Sequence, residues 1–244
     1  MRTFAADLHV HTALSPCADP EMTPPAIVEE ARRHGLEVIA ICDHNAADNV
    51  AAVCGAAGGV PYVVPGIEIT TAEEAHVLGL FPDAACAQAV GTVVGATLPR
   101  LSRPPKPYEE QRLMDAAGGT IALGLRMLST ATTLSVSETV AMIQDHGGLA
   151  VAAHVDRPSY SVMSQLGFFP EDAAFDAIEI SAAGLSRGRQ LAFARLGLSM
   201  VAGSDSHFLS ELGTCGGGLC MNAPTFAELR LALGGRRGRG TRLA

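Results

Sequence analysis

Long hydrophobic runs are missing from this 244-residue chain. The longest, such as Val38-Ile39-Ala40-Ile41-Cys42, fall far short of the ~20 residues that span a bilayer. A secretory leader is missing as well, because Asp7, His9 and His11 interrupt any apolar stretch near the start. Both absences lead to the expectation of a soluble, cytoplasmic protein with no membrane partner. Six cysteines occur without a Cys-x-x-Cys spacing, which argues against a disulfide framework in a chain of this length. Cys42 and Cys54 sit in apolar segments and read as buried thiols. Cys215 and Cys220 flank Gly216-Gly217-Gly218 too loosely to mark a metal site. Charged residues are sparse, 17% against 48% hydrophobic, so the bulk of the chain can build a core and disorder is excluded for it. Cations are sparser than anions, with a net charge of −8 and Lys106 the only lysine. That balance argues against general affinity for nucleic-acid backbone, and no stable duplex binding is expected. A small phosphorylated substrate stays open, because a few arginines or metal ions can outweigh the global field.

What is present reads as one α/β domain, since the chain shows neither an internal repeat nor a separating linker, and its length allows one large domain at ~100–200 residues each. Thr3–Val10 predicts a strand. Thr23 caps a helix with Pro24 at its first position and Gly35 as its stop. A buried strand Leu36–Cys42, a helical stretch Ala46–Ala57, and strands Val60–Thr70 and Ala75–Phe81 follow. Residues 99–135 carry Pro104-Pro105, Pro107 and Gly118-Gly119, and their periodicity fades. They read as an insertion, either a lid over the site or a plain surface excursion. Order returns with a helix at Ser137–Gln144, strands Leu149–Ala153 and Phe175–Ser181, a helix Leu185–Leu196, a strand Leu198–Ala202, and a Thr225-capped helix ending at Leu233. The domain covers residues 1–235, and 236–244 form a basic tail, either an interaction arm or a solvated terminus.

Histidine placement is the informative feature. His34 and His146 each precede a glycine at a helix end, where an imidazole suits the helix dipole. The other six, His9, His11, His44, His76, His154 and His207, lie at or beside apolar strands, and Asp43, Glu68 and Asp205 keep them company. In His9-Val10-His11 the two-residue spacing turns both imidazoles to one face of a strand. Asp205-Ser206-His207 repeats the spacing, with Gly203 permitting close backbone approach. Where parallel strands form a barrel, their C-terminal ends converge on one face. Polar residues at several strand ends therefore meet, and imidazole with carboxylate is the ligand set for Zn, Mn or Fe.

Taken in order, Asp7-Leu8-His9-Val10-His11-Thr12, Cys42-Asp43-His44-Asn45, Gly66-Ile67-Glu68, His76-Val77-Leu78-Gly79-Leu80, Ala153-His154 and Gly203-Ser204-Asp205-Ser206-His207 resemble the motifs of the PHP (polymerase and histidinol phosphatase) family. The resemblance implies a distorted seven-stranded (β/α) barrel with two or three divalent metal ions (Mn, Fe or Zn) that hydrolyses phosphoesters. It implies that His9, His11, Glu68 and Asp205 hold one metal, that Glu68 bridges to a second held with His76 and His154, and that His44 and His207 hold a third. At the third site the chain departs from many members: Cys17 stands in the expected slot, with Asp19 the alternative ligand and a weak or empty site the remaining reading. Asp43 is either a ligand or a residue that orients His44 or caps the next helix.

Paired metals about 3.5–4 Å apart would activate a bridging hydroxide and clamp an in-line displacement. Arg157 matches a phosphate-binding arginine of related phosphatases, and its alternative is a surface salt bridge with Asp156 or Asp172. Arg126 in the insertion is a second substrate-binding candidate, and Asp205 or His207 is placed to protonate the leaving group. The expected activity is a metal-dependent phosphatase acting on a small phosphomonoester, with a nucleotide or nucleoside bisphosphate favoured and histidinol phosphate possible. Amidohydrolase-like carbonyl hydrolysis and a non-catalytic metal-binding PHP module are the alternatives.

Overall fold

Residues 1–103, 106, 109–215 and 217–243 are described by the computed structural model. In chain order the elements are β1 (Arg2–Val10), α1 (Pro24–Arg33), β2 (Val38–Ile41), α2 (Val50–Ala57), β3 (Tyr62–Thr70), β4 (His76–Leu80), α3 (Ala84–Thr97), β5 (Arg112–Met114) and β6 (Thr120–Leu123). They continue with α4 (Val136–Asp145), β7 (Leu149–Ala152), α5 (Val162–Leu166), β8 (Ala177–Ser181), α6 (Ala182–Ser186), α7 (Gln190–Phe193), β9 (Ser199–Gly203), β10 (Gly217–Met221), α8 (Phe226–Leu233) and β11 (Gly240–Leu243). None of the described helices is long and apolar enough to cross a membrane.

The main sheet has nine strands in the order β11-β10-β1-β2-β3-β4-β7-β8-β9. β1, β2 and β3 are parallel, as are β7, β8 and β9, while β4 runs antiparallel to both of its neighbours. The chain just after β9 returns to the end of β1. There Val10 bridges Ser206, and the His11 N–H donates to the Ser206 carbonyl at 3.1 Å. Seven strands thus curl into a nearly closed barrel. The seven-stranded barrel is as expected, and the sheet runs on to nine strands because β10 adds antiparallel to the first half of β1 and β11 adds antiparallel to β10. Both were hidden, one by Gly217-Gly218 and the other by the basic tail. Gly240–Leu243 pair with β10, so this part of the tail is sheet rather than a solvated terminus.

Alternation along the strands builds two apolar layers. In β2, Ile39 and Ile41 join Ile27, Val28, Val50, Val53 and Ile143 of the helices, whereas Val38 and Ala40 join Leu8, Val64, Leu78 and Val151 of the other strands. α8 packs Phe226, Leu229 and Leu233 onto the second layer. Leu8 belongs to the second layer and Val10 to the first, and the β1–β2 register shifts between Asp7 and Val10. This irregularity reverses the facing of the strand's last residues and turns His9 and His11 inward.

α3, unassigned in the sequence reading, is an Ala/Gly/Val-rich helix capped by Asp83, whose side chain accepts the Cys86 N–H at 2.9 Å. The expected helix Leu185–Leu196 is broken: Gly188 takes φ +67° between α6 and α7, and Ala194–Leu196 form a 3-10 turn. His34 and His146 sit at the C-terminal caps of α1 and α4, as expected. The 99–135 insertion contains the β5–β6 hairpin, which pairs only with itself among the described strands. Its Pro104-Pro105 and Pro107 lie outside the described residues, as does Gly216 beside Cys215. Asn49 anchors the hairpin through the Arg112 carbonyl and the Met114 N–H, both at 2.8 Å. Asn45 holds the carbonyls of Leu128 and Thr130 at 2.9 Å. Because Asn45 adjoins His44, the insertion is moored beside the strand ends that carry the histidines.

Candidate metal centre

Strand direction decides which residues meet. His9, Glu68 and Asp205 come from the C-terminal ends of β1 and β3 and from the chain after β9, with His11, His44 and His154 just beyond β1, β2 and β7. His76 opens its strand, yet β4 is antiparallel and pairs His76 with Thr70, so it arrives at the same rim. All six strand-end histidines, Glu68 and Asp205 therefore converge.

Glu68 is the hub, with its side chain fully buried. Its Oε1 lies 2.8 Å from His76 Nδ1, 3.3 Å from His154 Nε2 and 3.4 Å from His9 Nε2. Its Oε2 lies 2.8 Å from His44 Nδ1 and 3.5 Å from His11 Nε2. Asp205 Oδ1 stands 3.0 Å from His11 Nε2 and 3.3 Å from His9 Nε2. Three groups each bring ligand atoms within 4.8 Å of one another: His9-His11-Glu68-Asp205, His44-Glu68-His76 and His11-His44-His207. The first is the expected set. In the second His44 takes the place expected of His154, which still reaches Glu68, and His44 is shared with the third.

Several features fit this donor set to divalent metal. His9 Nδ1 contacts the two Glu179 oxygens at 3.1 and 3.0 Å, and His11 Nδ1 donates to Ser15 Oγ at 2.9 Å. Ser15 Oγ–H itself donates to Asp43 Oδ1 at 2.7 Å, so it can only accept from His11. Both rings are thereby protonated at Nδ1, and their Nε2 atoms face each other at 3.2 Å. Between them there is room for one cation, either a metal ion or the proton that, against the cost of burial, Glu179, Asp205 and Glu68 favour on His9. His44 Nδ1, His76 Nδ1 and Glu68 Oε2 are buried, close to one another, and without a hydrogen-bond partner. Polar atoms buried in this way are costly unless an ion or water satisfies them.

Burial disfavours its charge, but His76, His9 and His44 together hold the Glu68 carboxyl well below the usual range. His11 is pushed well below the ordinary imidazole value by burial and by the charges of His207 and His44, which keeps it in the neutral form that binds metal. Burial also opposes the His44 imidazolium, yet Glu68 and Cys17 raise that group to about 10.

Cys17 is exposed at the rim and hydrogen-bonded to His207 and His44. Burial of its sulfur works against ionisation, but those bonds and the charges of the two imidazoles lower the thiol to about 6. Asp19 instead uses its carboxylate to accept the Glu21 N–H at 2.8 Å. Asp43 is occupied by the Thr12 N–H, the Thr12 hydroxyl and the Ser15 hydroxyl, each at 2.7 Å. It acts on the centre through Ser15, orienting His11. Arg157 pairs with Asp205 Oδ2, while Asp156 accepts from the Ser181 N–H and hydroxyl at 2.8 and 2.7 Å. Arg126 donates to the Leu98 carbonyl at 2.9 Å and braces the insertion. Cys42 is buried as expected, and burial raises its thiol; Cys54 is half-buried.

The sequence reading missed three supports. Glu179 in β8 holds His9 and accepts the His154 N–H at 3.0 Å; its only signal was a carboxylate inside the apolar run Ile178-Glu179-Ile180. Asp7 is fully buried and accepts the N–H groups of Ser204 and Gly213 at 2.9 and 3.1 Å, pinning the Asp205 loop. Tyr160 stacks on His76 with ring centroids 4.9 Å apart, and its carbonyl accepts the His76 N–H at 2.8 Å. Asn45, His154 and Asp205 all take positive φ (52°, 26° and 52°), and such non-glycine strain gathers where surrounding structure holds a functional geometry.

The PHP-associated family model matches residues 187–233. No curated protein matches the chain by sequence. Among solved structures, the lesion-specific endonuclease Q of Pyrococcus furiosus superimposes with a TM-score of 0.71 at 19% identity, over 98% of this chain and 58% of that one. A protein from Bifidobacterium adolescentis assigned as a metal-dependent phosphoesterase gives 0.56 at 22% identity, over 83% and 87%. An amidohydrolase from Chromobacterium violaceum, with bound sulfate and no metal, gives 0.57 at 21% identity, over 85% and 89%. The chain thus spans little more than half the length of the endonuclease. The family match is confined to residues 187–233, and the solved structures, at 19–22% identity, share the barrel fold.

Proposed function

We propose that this chain is a metal-dependent phosphatase of small phosphomonoesters. One observation carries the reading: a buried carboxylate, Glu68, is bracketed by five imidazoles at 2.8–3.5 Å, with Arg157 held beside them on Asp205. Two or three divalent ions (Mn, Fe or Zn) fit the donors, and when bound they supply charge neutralisation and an acidified water.

His9, His11, Glu68 and Asp205 would hold the first ion, Glu68 with His76 and His154 the second, and His44 and His207 with Cys17 the third. Glu179, Ser15 and Tyr160 fix the imidazoles, so the ligands do not reorganise as charge develops. Arg157 is 39% exposed at its side chain, so its guanidinium is open to a phosphoryl group from the solvent side. Phosphoryl transfer depends on such positioning and charge stabilisation rather than on covalent chemistry. Asp205 and His207 are 9% and 18% exposed and form the edge of the centre that substrate would reach. With Asp205 Oδ1 among the ligands and Oδ2 on Arg157, the leaving oxygen would take its proton from solvent at that edge. His207 Nδ1 donates to the Asp205 carbonyl at 2.9 Å, leaving Nε2 as the nitrogen that would ligate the third ion.

Carbonyl hydrolysis is the competing reading, favoured by the fold shared with an amidohydrolase. Lys106, the chain's one lysine, is exposed, and among the described residues the centre contains none to be carboxylated. Phosphodiester cleavage, which the endonuclease performs, belongs to a protein of which this chain spans 58%. The test loads the protein with Mn, Fe or Zn and compares phosphomonoesters, carboxylic esters and amides, and lesion-bearing duplex DNA. Turnover of phosphomonoesters, lost together with metal in Glu68→Ala and reduced about 100-fold with metal retained in Arg157→Gln, is the expected result. Full phosphatase activity in folded Glu68→Ala, or turnover confined to carbonyl substrates or DNA, overturns the proposal.

A further inference from the structure

Away from the metal centre the fold opens a cavity of about 580 Å³, within the range of small-molecule sites. Its floor is Met163 of α5, Phe169 from the segment before β8, Phe193 of α7 and Leu196 of the 3-10 turn before β9. These four are half-buried and pack against the buried core, so the core fixes the shape of the floor. The Phe175 ring braces Phe169, with centroids 5.6 Å apart. Phe168 forms a wall and is 61% exposed, a large apolar surface left uncovered. Segments leading into β8 and β9 build the cavity. It therefore lies towards the start of these parallel strands, whereas the centre lies at the C-terminal ends of the barrel's parallel strands. None of its described lining residues belongs to the three ligand groups.

Two opposite charges share this apolar concavity. Glu171 and Arg195 both line it and both are exposed, and among the described residues neither side chain has an ion pair or a hydrogen bond. They do not pair with each other, so an acceptor and a donor fork stand at separate places around one floor. A simple anion meets Glu171 as a repulsion, a simple cation meets Arg195 in the same way, and an uncharged apolar group leaves both unused. A zwitterion satisfies both, its carboxylate on the guanidinium through charge-assisted, bidentate hydrogen bonds and its ammonium on the glutamate. We propose that this cavity binds a free α-amino acid with a large apolar side chain. Its carboxylate meets Arg195, its ammonium meets Glu171, and its side chain lies on the floor formed by Phe169, Phe193 and Leu196. The site is separate from the metal centre, and the inference stands independently of the phosphatase reading.

Isothermal titration calorimetry of L-phenylalanine and L-leucine into the metal-free protein reads the site without chelation of metal by the ligand. Saturable one-to-one binding with a Kd below about 1 mM is expected. Arg195→Gln and Glu171→Gln, both at exposed positions, are each expected to weaken it about tenfold. Glycine, with the same head group and no side chain, is expected to bind about tenfold more weakly or not at all. Folded Glu68→Ala is expected to keep the wild-type affinity, and loss of binding there would move the ligand to the metal centre and overturn the proposal. N-acetyl-L-phenylalaninamide keeps the ring and loses both charges, and binding as tight as that of phenylalanine overturns the proposal in favour of a peptide segment. Octanoate binding as tightly as the amino acids overturns it in favour of a simple apolar anion. Absence of saturation with either amino acid, or unchanged affinity in the two charge variants, refutes it.

Discussion

Glu179→Gln removes one charge beneath the centre and leaves the shape of the side chain intact. Glu179 is 1% exposed, its oxygens lie 3.1 and 3.0 Å from His9 Nδ1, and Oε2 also accepts the His154 N–H at 3.0 Å. Both neighbours are donors, so a carboxylate satisfies the two while a carboxamide satisfies one. With the amide oxygen kept on the His154 N–H, the NH2 group faces His9 Nδ1. The ring then takes the tautomer protonated at Nε2, the atom that faces Asp205 and Glu68. A hydrogen bond to a charged group contributes about 1.5–3 kcal/mol, or roughly 10–100-fold in affinity, the range found for partners that orient metal-bound histidines. The assay is competition for Zn or Mn against a chromophoric chelator, with the unfolding midpoint of the metal-free variant measured alongside. A 10–100-fold weaker affinity in a folded protein is expected. An affinity within twofold of the wild type would refute the argument that Glu179 sets the His9 ligand atom.

Gly203→Ala probes the same contact from the other side: a Cβ there would run into Glu179 Oε1 and come within 2.7 Å of His9 Cβ. The variant is expected to lose about 1–3 kcal/mol of stability by denaturant unfolding and to bind metal more weakly, and wild-type values for both would show that the backbone yields at no cost. For Cys17, a thiol at about 6 is deprotonated above that pH, and the thiolate is the reactive form. Alkylation by iodoacetamide in metal-free protein, followed by mass spectrometry at this residue, is expected to rise through pH 6 and level off near neutrality. A rate still climbing towards the ordinary thiol value of 9.0 would contradict the imidazole contacts.

The centre was largely legible in the sequence because its ligands obey strand geometry: His9 and His11 share a face by spacing, and polar residues after Ile41, Ala152 and Gly203 stand out against apolar runs. Glu179 was not, since a carboxylate within Ile178-Glu179-Ile180 has the alternation of a strand with one solvated face, and only barrel closure turns that face inward. The sharing of His44 between two ligand groups depends on distances across strands, which spacing does not encode. In the fold, α3 lacked a signal because Ala84–Thr97 is small and apolar on most sides and shows no polar stripe. β10 and β11 failed to register because glycines and arginines disfavour strands locally, and pairing of β10 along β1 and of β11 along β10 overrides that preference. The broken region from α6 to α7 read as one helix because its apolar spacing continues across Gly188, whose φ of +67° interrupts it.

Metal content per chain, measured by elemental analysis on protein purified without chelator or affinity-tag metal, tests the central claim most directly. The account predicts two to three equivalents of Mn, Fe or Zn, falling to one or fewer in Glu68→Ala, because that carboxylate joins two of the three ligand groups. One equivalent or less in the wild type, unresponsive to added metal, would contradict it.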